Sequence, residues 1–215
     1  MAPCCFGGCS SAPVESLFNH IPLSREVLVD TDTPLALYLK LANNPYSYFL
    51  ESVQGGEKWG RYSFVGLAAE TVIKVNDYDV SIEKNGKLHK QYKVEDPLAW
   101  IEDYQSKFKV PQLEELPDFN GGLVGYFGYE IIKFIEPKLK NIKKKDELNV
   151  PDILLMVSND LLVVDNLTSK VHIITHINPE KESIQIFIIN EKAEVVLWKE
   201  FTSTIPISIE YNINF

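Results

Sequence analysis

After residue 9 the chain contains no cysteine. All three, Cys4, Cys5 and Cys9, lie in the opening MAPCCFGGCSSAP. An odd number crowded into one Gly/Ser/Pro-rich tip is not a disulfide framework. It is not a zinc site either, which wants four ligands; no fourth cysteine is near and His20 is isolated. The tip also lacks the basic and apolar regions of a secretion signal, so residues 1–20 read as a mobile, dispensable end. Histidine is almost as scarce. His20, His89, His172 and His176 have no metal-ligand spacing, and the last two share a predicted strand on which they would stand ~13 Å apart. No serine sits in a G-x-S-x-G elbow. Gly121 to Gly128 lacks the Walker lysine and the G-x-G-x-x-G spacing, and its glycines read as places where a strand kinks or another backbone comes close. Positive charge is short too, at 21 Lys and Arg against 30 Asp and Glu for a net charge of -9. That balance opposes nonspecific binding to nucleic acid or anionic membrane. No apolar run approaches the ~18 to 20 residues that span a bilayer. These absences leave a soluble, cytoplasmic protein with little visible equipment for catalysis.

What is present is an alternation of short strands with a few helices. Leu23 to Val29 reads as a strand. A helix follows, with Thr33 as its cap and Pro34 at its first position. Tyr46 to Val53 and Arg61 to Leu67 read as strands around the turn Gln54-Gly55-Gly56-Glu57. Three more strands are expected at Thr71 to Val75, Asp79 to Glu83 and Lys87 to Tyr92, the last two joined by the hairpin signal Asn85-Gly86. Asp96-Pro97 opens a helix to about Phe108, with Leu98, Ile101, Tyr104 or Gln105, and Phe108 facing inward. Gly121 to Glu130 is a glycine-punctuated strand leading into a helix over Glu130 to Ile135. Ile153 to Val157 and Leu161 to Val164 read as buried strands, and Asp165 to Ser169 turns the chain into Val171 to His176. The class is α+β, one domain of layered antiparallel sheet with no linker before about residue 180. The basic run Lys138, Lys140, Lys143, Lys144 and Lys145 is a solvated loop or a docking patch for an acidic partner.

Glu51-Ser52 stands apart. Tyr48, Leu50 and Ser52 share one face of their strand, and Phe49, Glu51 and Val53 the other. Both faces are mostly apolar, which implies cover on both sides. The carboxylate and hydroxyl at its end then need partners at the rim of a core. Either Glu51 pairs with Lys58 or Arg61 across the turn, or Glu51 receives an ammonium group while Ser52 fixes an amino-acid ligand.

Four segments, IPLSREVLVDTDTPLALYLKL, YSYFLESVQGGEKWGRYSFVGL, GGLVGYFGYEIIKFIEP and PDILLMVSNDLLVVDN, resemble in order the N-terminal region of anthranilate synthase component I, a chorismate-utilising enzyme. The resemblance covers about Ile21 to Pro179. GYFGYE alone also fits the related aminodeoxychorismate synthase component I of folate synthesis, although the continuation GGEKWGRYSF leans toward tryptophan synthesis. The resemblance implies layered antiparallel sheets. It also implies a family reaction that converts chorismate to anthranilate with Mg2+ and with ammonia from a glutamine amidotransferase partner. It implies a feedback pocket for tryptophan, whose Leu-Glu-Ser motif falls on Leu50, Glu51 and Ser52, with Arg61 as a further pocket position.

The family's chorismate- and magnesium-binding residues belong to a C-terminal domain that nothing in this chain matches, and part of the tryptophan pocket comes from that domain. The expectation is an effector-binding portion, residues 21–180, without catalytic residues, metal or cofactor of its own. A stand-alone amino-acid-binding module is the competing reading. Residues 181–215 form an atypical tail, where the resemblance calls for an amphipathic helix but ESIQIFIINEKAEVVLWKEF loses clear amphipathic order. A frameshift or premature stop after about Glu182 accounts for such a tail.

Overall fold

The computed structural model describes residues 18–29, 31–51, 60–114, 116–139, 148–178, 184–189 and 195–201. The cysteine-bearing tip, Ser52, the Gln54 to Glu57 turn, Lys58 and the lysines of the basic run after Lys138 lie outside them.

Strand β1 (Ile21–Leu28) leads to helix α1 (Pro34–Leu41), whose Thr33 hydroxyl accepts the Ala36 N–H at 3.1 Å, as its sequence foretells. Strands β2 (Tyr48–Leu50) and β3 (Tyr62–Gly66) form the expected antiparallel hairpin. The first is much shorter than its apolar run, and Leu50 at its end is half exposed. Strands β4 (Thr71–Asn76), β5 (Asp79–Lys84) and β6 (Lys87–Lys93) follow as a meander. Asn85 (φ 49°) and Gly86 (φ 72°) are both left-handed, as the tight turn in this hairpin demands. Helix α2 (Pro97–Ser106) begins where Asp96 accepts the N–H groups of Leu98 and Ala99. Strand β7 (Gly122–Phe127) precedes a 3-10 turn (Tyr129–Ile131) and the short helix α3 (Ile132–Ile135). Three strands then close the domain: β8 (Ile153–Ser158), β9 (Asp160–Asp165) and β10 (Lys170–Ile177). Beyond them β11 (Ile184–Ile189) and β12 (Val195–Phe201) pair with each other as a separate two-stranded sheet. The tail sequence is therefore strand-forming where the family resemblance calls for helix.

Two five-stranded antiparallel sheets result, ordered β1-β10-β9-β3-β2 and β6-β5-β4-β8-β7. Alternation along the strands sorts their side chains into layers. Val65, Leu162, Val164 and Val171 of the first sheet pack beneath Leu37 of α1. Ile73, Val75, Val80, Ile153 and Leu155 of the second pack against Ile101 of α2. The opposite faces meet each other, with Tyr48 and Phe64 from the first sheet against Val72 and Met156 from the second. The order is helix, sheet, sheet, helix. This is the α+β architecture of layered antiparallel sheets that the strand count implies.

Tyr48 ties the two sheets. Its ring lies across Gly66, its cross-strand partner, and its hydroxyl is 2.7 Å from the Ser158 hydroxyl at the end of β8. A Cβ on Gly66 would fall inside that ring. Gly66→Ala is therefore expected to displace Tyr48 and lower stability by about 1–3 kcal/mol, the usual cost of overpacking. Urea unfolding followed by circular dichroism measures this, and an unchanged midpoint would show that the ring has another seat.

Candidate functional site

The hairpin register places Leu50 opposite Phe64. Leu50 and Glu51 therefore leave the sheet at the same end at which Arg61 enters it. Glu51 is exposed. Arg61 is engaged: its Nε and Nη2 both donate to Asp165 Oδ2, at 3.1 and 2.7 Å, and its guanidinium lies 4.9 Å from the Tyr62 ring centre. The carboxylate that holds Arg61 is thus Asp165 at the end of β9, not Glu51 across the turn. Leu50, Glu51 and Arg61 are brought to one hairpin end, and Ser52 lies outside the described residues.

Asp165 is nearly sealed, with 4% of its side chain exposed. Burial alone would raise its carboxyl. The hydrogen bonds from Arg61 and from the Leu167 N–H, with Thr168 adding to them, outweigh that and hold it at about 2. The second oxygen accepts the Leu167 and Thr168 N–H groups at 3.0 and 3.4 Å, so one carboxylate both closes the β9–β10 turn and clamps the arginine.

Around this pair opens a cleft of about 300 Å3. Its wall is one face of the first sheet. Cross-strand pairing lines up Glu26, His172, Val163, Phe64 and Leu50 in one row, and Leu28, Lys170, Asp165 and Tyr62 in the next. Lys170 pairs with Glu26 at 2.6 Å, with both side chains well exposed, so this contact contributes at most about 1 kcal/mol. Leu116 and Pro117 supply an apolar border, and Glu114 adds another carboxylate. The cleft therefore offers charges of both signs beside apolar surface, which suits recognition of a small charged molecule. Among the described residues no three His, Cys, Asp or Glu come together in a way that could hold a metal ion. His176, on the same strand as His172, is buried; burial lowers its pKa, and its Nδ1–H donates to the Asn159 carbonyl at 3.1 Å. It is a structural histidine. No described helix is long and apolar enough to cross a membrane.

Sequence reasoning missed Asp165, Glu26, Lys170 and His172. The one local signal was Asp165-Asn166 after a buried strand, a pairing that favours a side-chain-closed turn. Nothing local indicated that the turn would face Arg61, about a hundred residues earlier in the chain.

No family model matches the chain. Several curated relatives that it matches are named anthranilate synthase component 1. It is 53% identical over 165 residues to the protein of that name from Pseudomonas putida, covering 77% of this chain and 34% of that one. The Neisseria meningitidis serogroup B protein is 50% identical over 167 residues (76% and 34% covered), and the Aquifex aeolicus protein 40% over 161 residues (74% and 32%). The chain spans about a third of the length of the curated relatives it matches, and the match falls in their N-terminal third. A crystal structure of anthranilate synthase component I from Streptococcus pneumoniae TIGR4 is similar with a TM-score of 0.42 and 25% identity, covering 69% of this chain and 31% of that one.

The lowered Asp165 carboxyl has a defined consequence. A group depressed on folding stabilises the fold above its unfolded value, and that contribution is lost as pH falls through the folded one. A displacement from 3.8 to about 2 corresponds to about 2 kcal/mol, lost between about pH 4 and 2. Asp165→Asn should lower the urea midpoint at pH 7 and flatten the acid limb of the stability profile. A variant whose acid limb parallels that of the parent would mean that another carboxylate is responsible.

Proposed function

We propose that this chain acts as the N-terminal regulatory portion of an anthranilate synthase component I, within the tryptophan biosynthetic reaction that takes chorismate to anthranilate. The observation that carries this reading is the identity of about one half, over three quarters of the chain, with proteins of that name. The unit so assigned is residues 21–180, with 1–20 and 181–215 as flanking segments outside it. Activity would require the part of the relatives that this chain does not match, and a glutamine amidotransferase, component II, would supply ammonia. Chorismate and Mg2+ are assigned to that other part of the relatives.

The role proposed for the chain itself is effector binding. Leu50, Glu51 and Ser52, with Arg61, form this chain's share of a tryptophan pocket. Glu51 is exposed and available to an ammonium group. The Arg61 guanidinium, fixed on Asp165 and still 38% exposed, sits where a carboxylate or an indole face could meet it. Asp165 acts as a positioning residue, because it sets where Arg61 can reach. Tryptophan inhibits only if it binds the low-activity arrangement more tightly than the active one, and a pocket divided between two parts of the enzyme has that property built in.

Two outcomes are expected. The chain alone, given chorismate, Mg2+ and ammonia, should make no anthranilate, and steady production would remove the regulatory reading. Calorimetric titration with tryptophan should give weak binding to the chain alone. Binding should be at least tenfold tighter when the remainder of a relative is present, with that gain lost in Ser52→Ala. Tight binding to the isolated chain, also lost in Ser52→Ala, would instead favour a stand-alone amino-acid-binding module.

A further inference from the structure

The cleft has one wall that belongs to neither sheet. Glu114, Leu116 and Pro117 lie in the connection between α2 and β7, and that connection is a strap fixed at two points. At its far end Phe119 stands edge-on to Phe64, with ring centres 5.1 Å apart, and packs among residues of both sheets. Among the described residues, the hydrogen bonds along 110–118 are short-range ones. The Leu116 N–H donates to the Leu113 carbonyl at 3.2 Å, and Asn120 Nδ2 donates to the Pro117 carbonyl at 3.3 Å. Neither joins the strap to a sheet, and Val110 and Leu113 are well exposed.

The near end of the strap is held by Asn19, just before β1. Its Nδ2 donates to the Lys107 carbonyl at 2.7 Å, and its Oδ1 accepts the Lys109 N–H at 2.8 Å. Its own N–H and that of His20 donate to the Lys109 carbonyl at 3.1 and 3.2 Å. The His20 ring stands edge-on to Phe108, 4.6 Å between centres. One residue thus ties the entry of β1, an edge strand of the first sheet, to the point where the strap leaves α2, the helix that covers the second. The grip needs a side chain that donates and accepts at once, which an amide does and a carboxylate does not. Pro111 follows the grip closely and Pro117 lies in the wall itself. Their fixed φ angles stiffen the strap, so a shift at Asn19 is carried along it rather than absorbed.

We propose that Asn19 is a positioning residue for the cleft. By latching the strap it fixes where Glu114, Leu116 and Pro117 stand at the cleft's border, and so how closely the cleft wraps a bound amino acid. The inference rests on the reading of this site as the chain's share of a tryptophan pocket. In this role Asn19 touches no ligand and acts only through the strap. A residue that merely capped the end of α2 would make the same hydrogen bonds, but its loss would change stability and leave binding to the folded chain untouched.

The test titrates tryptophan into the full chain by nuclear magnetic resonance, which reads weak binding, and follows urea unfolding in parallel. Asn19→Ala should weaken binding about fivefold, the scale of one net hydrogen bond, under conditions where the chain stays folded. Asn19→Asp keeps the acceptor but loses the donor, and should weaken it as well. Asn19→Gln carries both groups on a longer stem and should recover part of the loss. Asp103→Asn is the control: it removes the Lys107–Asp103 ion pair from the same helix end, leaves the latch whole, and should leave binding unchanged. Cleavage after Glu114 by a glutamate-specific protease should be slowed by tryptophan in the parent and not in Asn19→Ala. Equal affinity of Asn19→Ala and the parent, or equal losses in Asn19→Ala and Asp103→Asn, would overturn the proposal and leave the tryptophan reading standing. A parent chain that binds no tryptophan at any concentration would remove that reading and the inference with it.

Discussion

The structure turns on one corner. Strand β8 belongs to the second sheet and β9 to the first, and only Asn159 separates them. Each runs between two neighbours in its sheet, and nearly every residue of both is buried. A chain that leaves one buried ladder for another within a single residue must find partners for the backbone groups at the crossing. The Asn159 carbonyl receives two, the His176 N–H at 2.9 Å and the His176 ring at 3.1 Å. The Tyr48–Ser158 hydrogen bond lies one residue away. Because the corner fixes how the sheets face each other, it also fixes how much of the first sheet's inner face the second sheet leaves uncovered to line the cleft.

Most of the elements were readable because their signals are local. Thr33-Pro34, Asp96-Pro97 and Asn85-Gly86 each fix a cap or turn through their own backbone preferences, and the structure uses all three as expected. The apolar runs of β8 and β9 announce strands covered on both faces. The run Tyr46 to Val53 misled because its described strand stops at Leu50. Apolar character there reflects contacts across the hairpin and with α1, such as the stacking of Tyr38 on Phe49, and not a longer ladder. In the tail, loss of helical periodicity was visible, but the pairing of β11 with β12 depends on a partner strand that no single window contains.

The candidate site was half legible. Glu51-Ser52 stood out as polar residues at the end of an apolar strand, a local anomaly. The Arg61–Asp165 clamp did not, since it joins residues far apart in sequence through the β3–β9 register. Polar residues such as Glu26, Lys170 and His172 look like ordinary solvated positions until the sheet lines them up beside one another. Composition and periodicity specify which side chains are buried; only topology specifies which charges become neighbours.

That topology also sets a schedule. In β1 Leu28 pairs with Lys170 and Ile21 with Ile177, so the first strand made waits for the last one of the domain. At about 5–20 residues per second, the roughly 140 residues between Leu28 and its partner take on the order of 7 to 28 seconds to synthesise. Through that interval β1 has no ladder. A nascent chain in this state depends on the ribosome, or on chaperones, to keep its half-built sheet from the wrong neighbour.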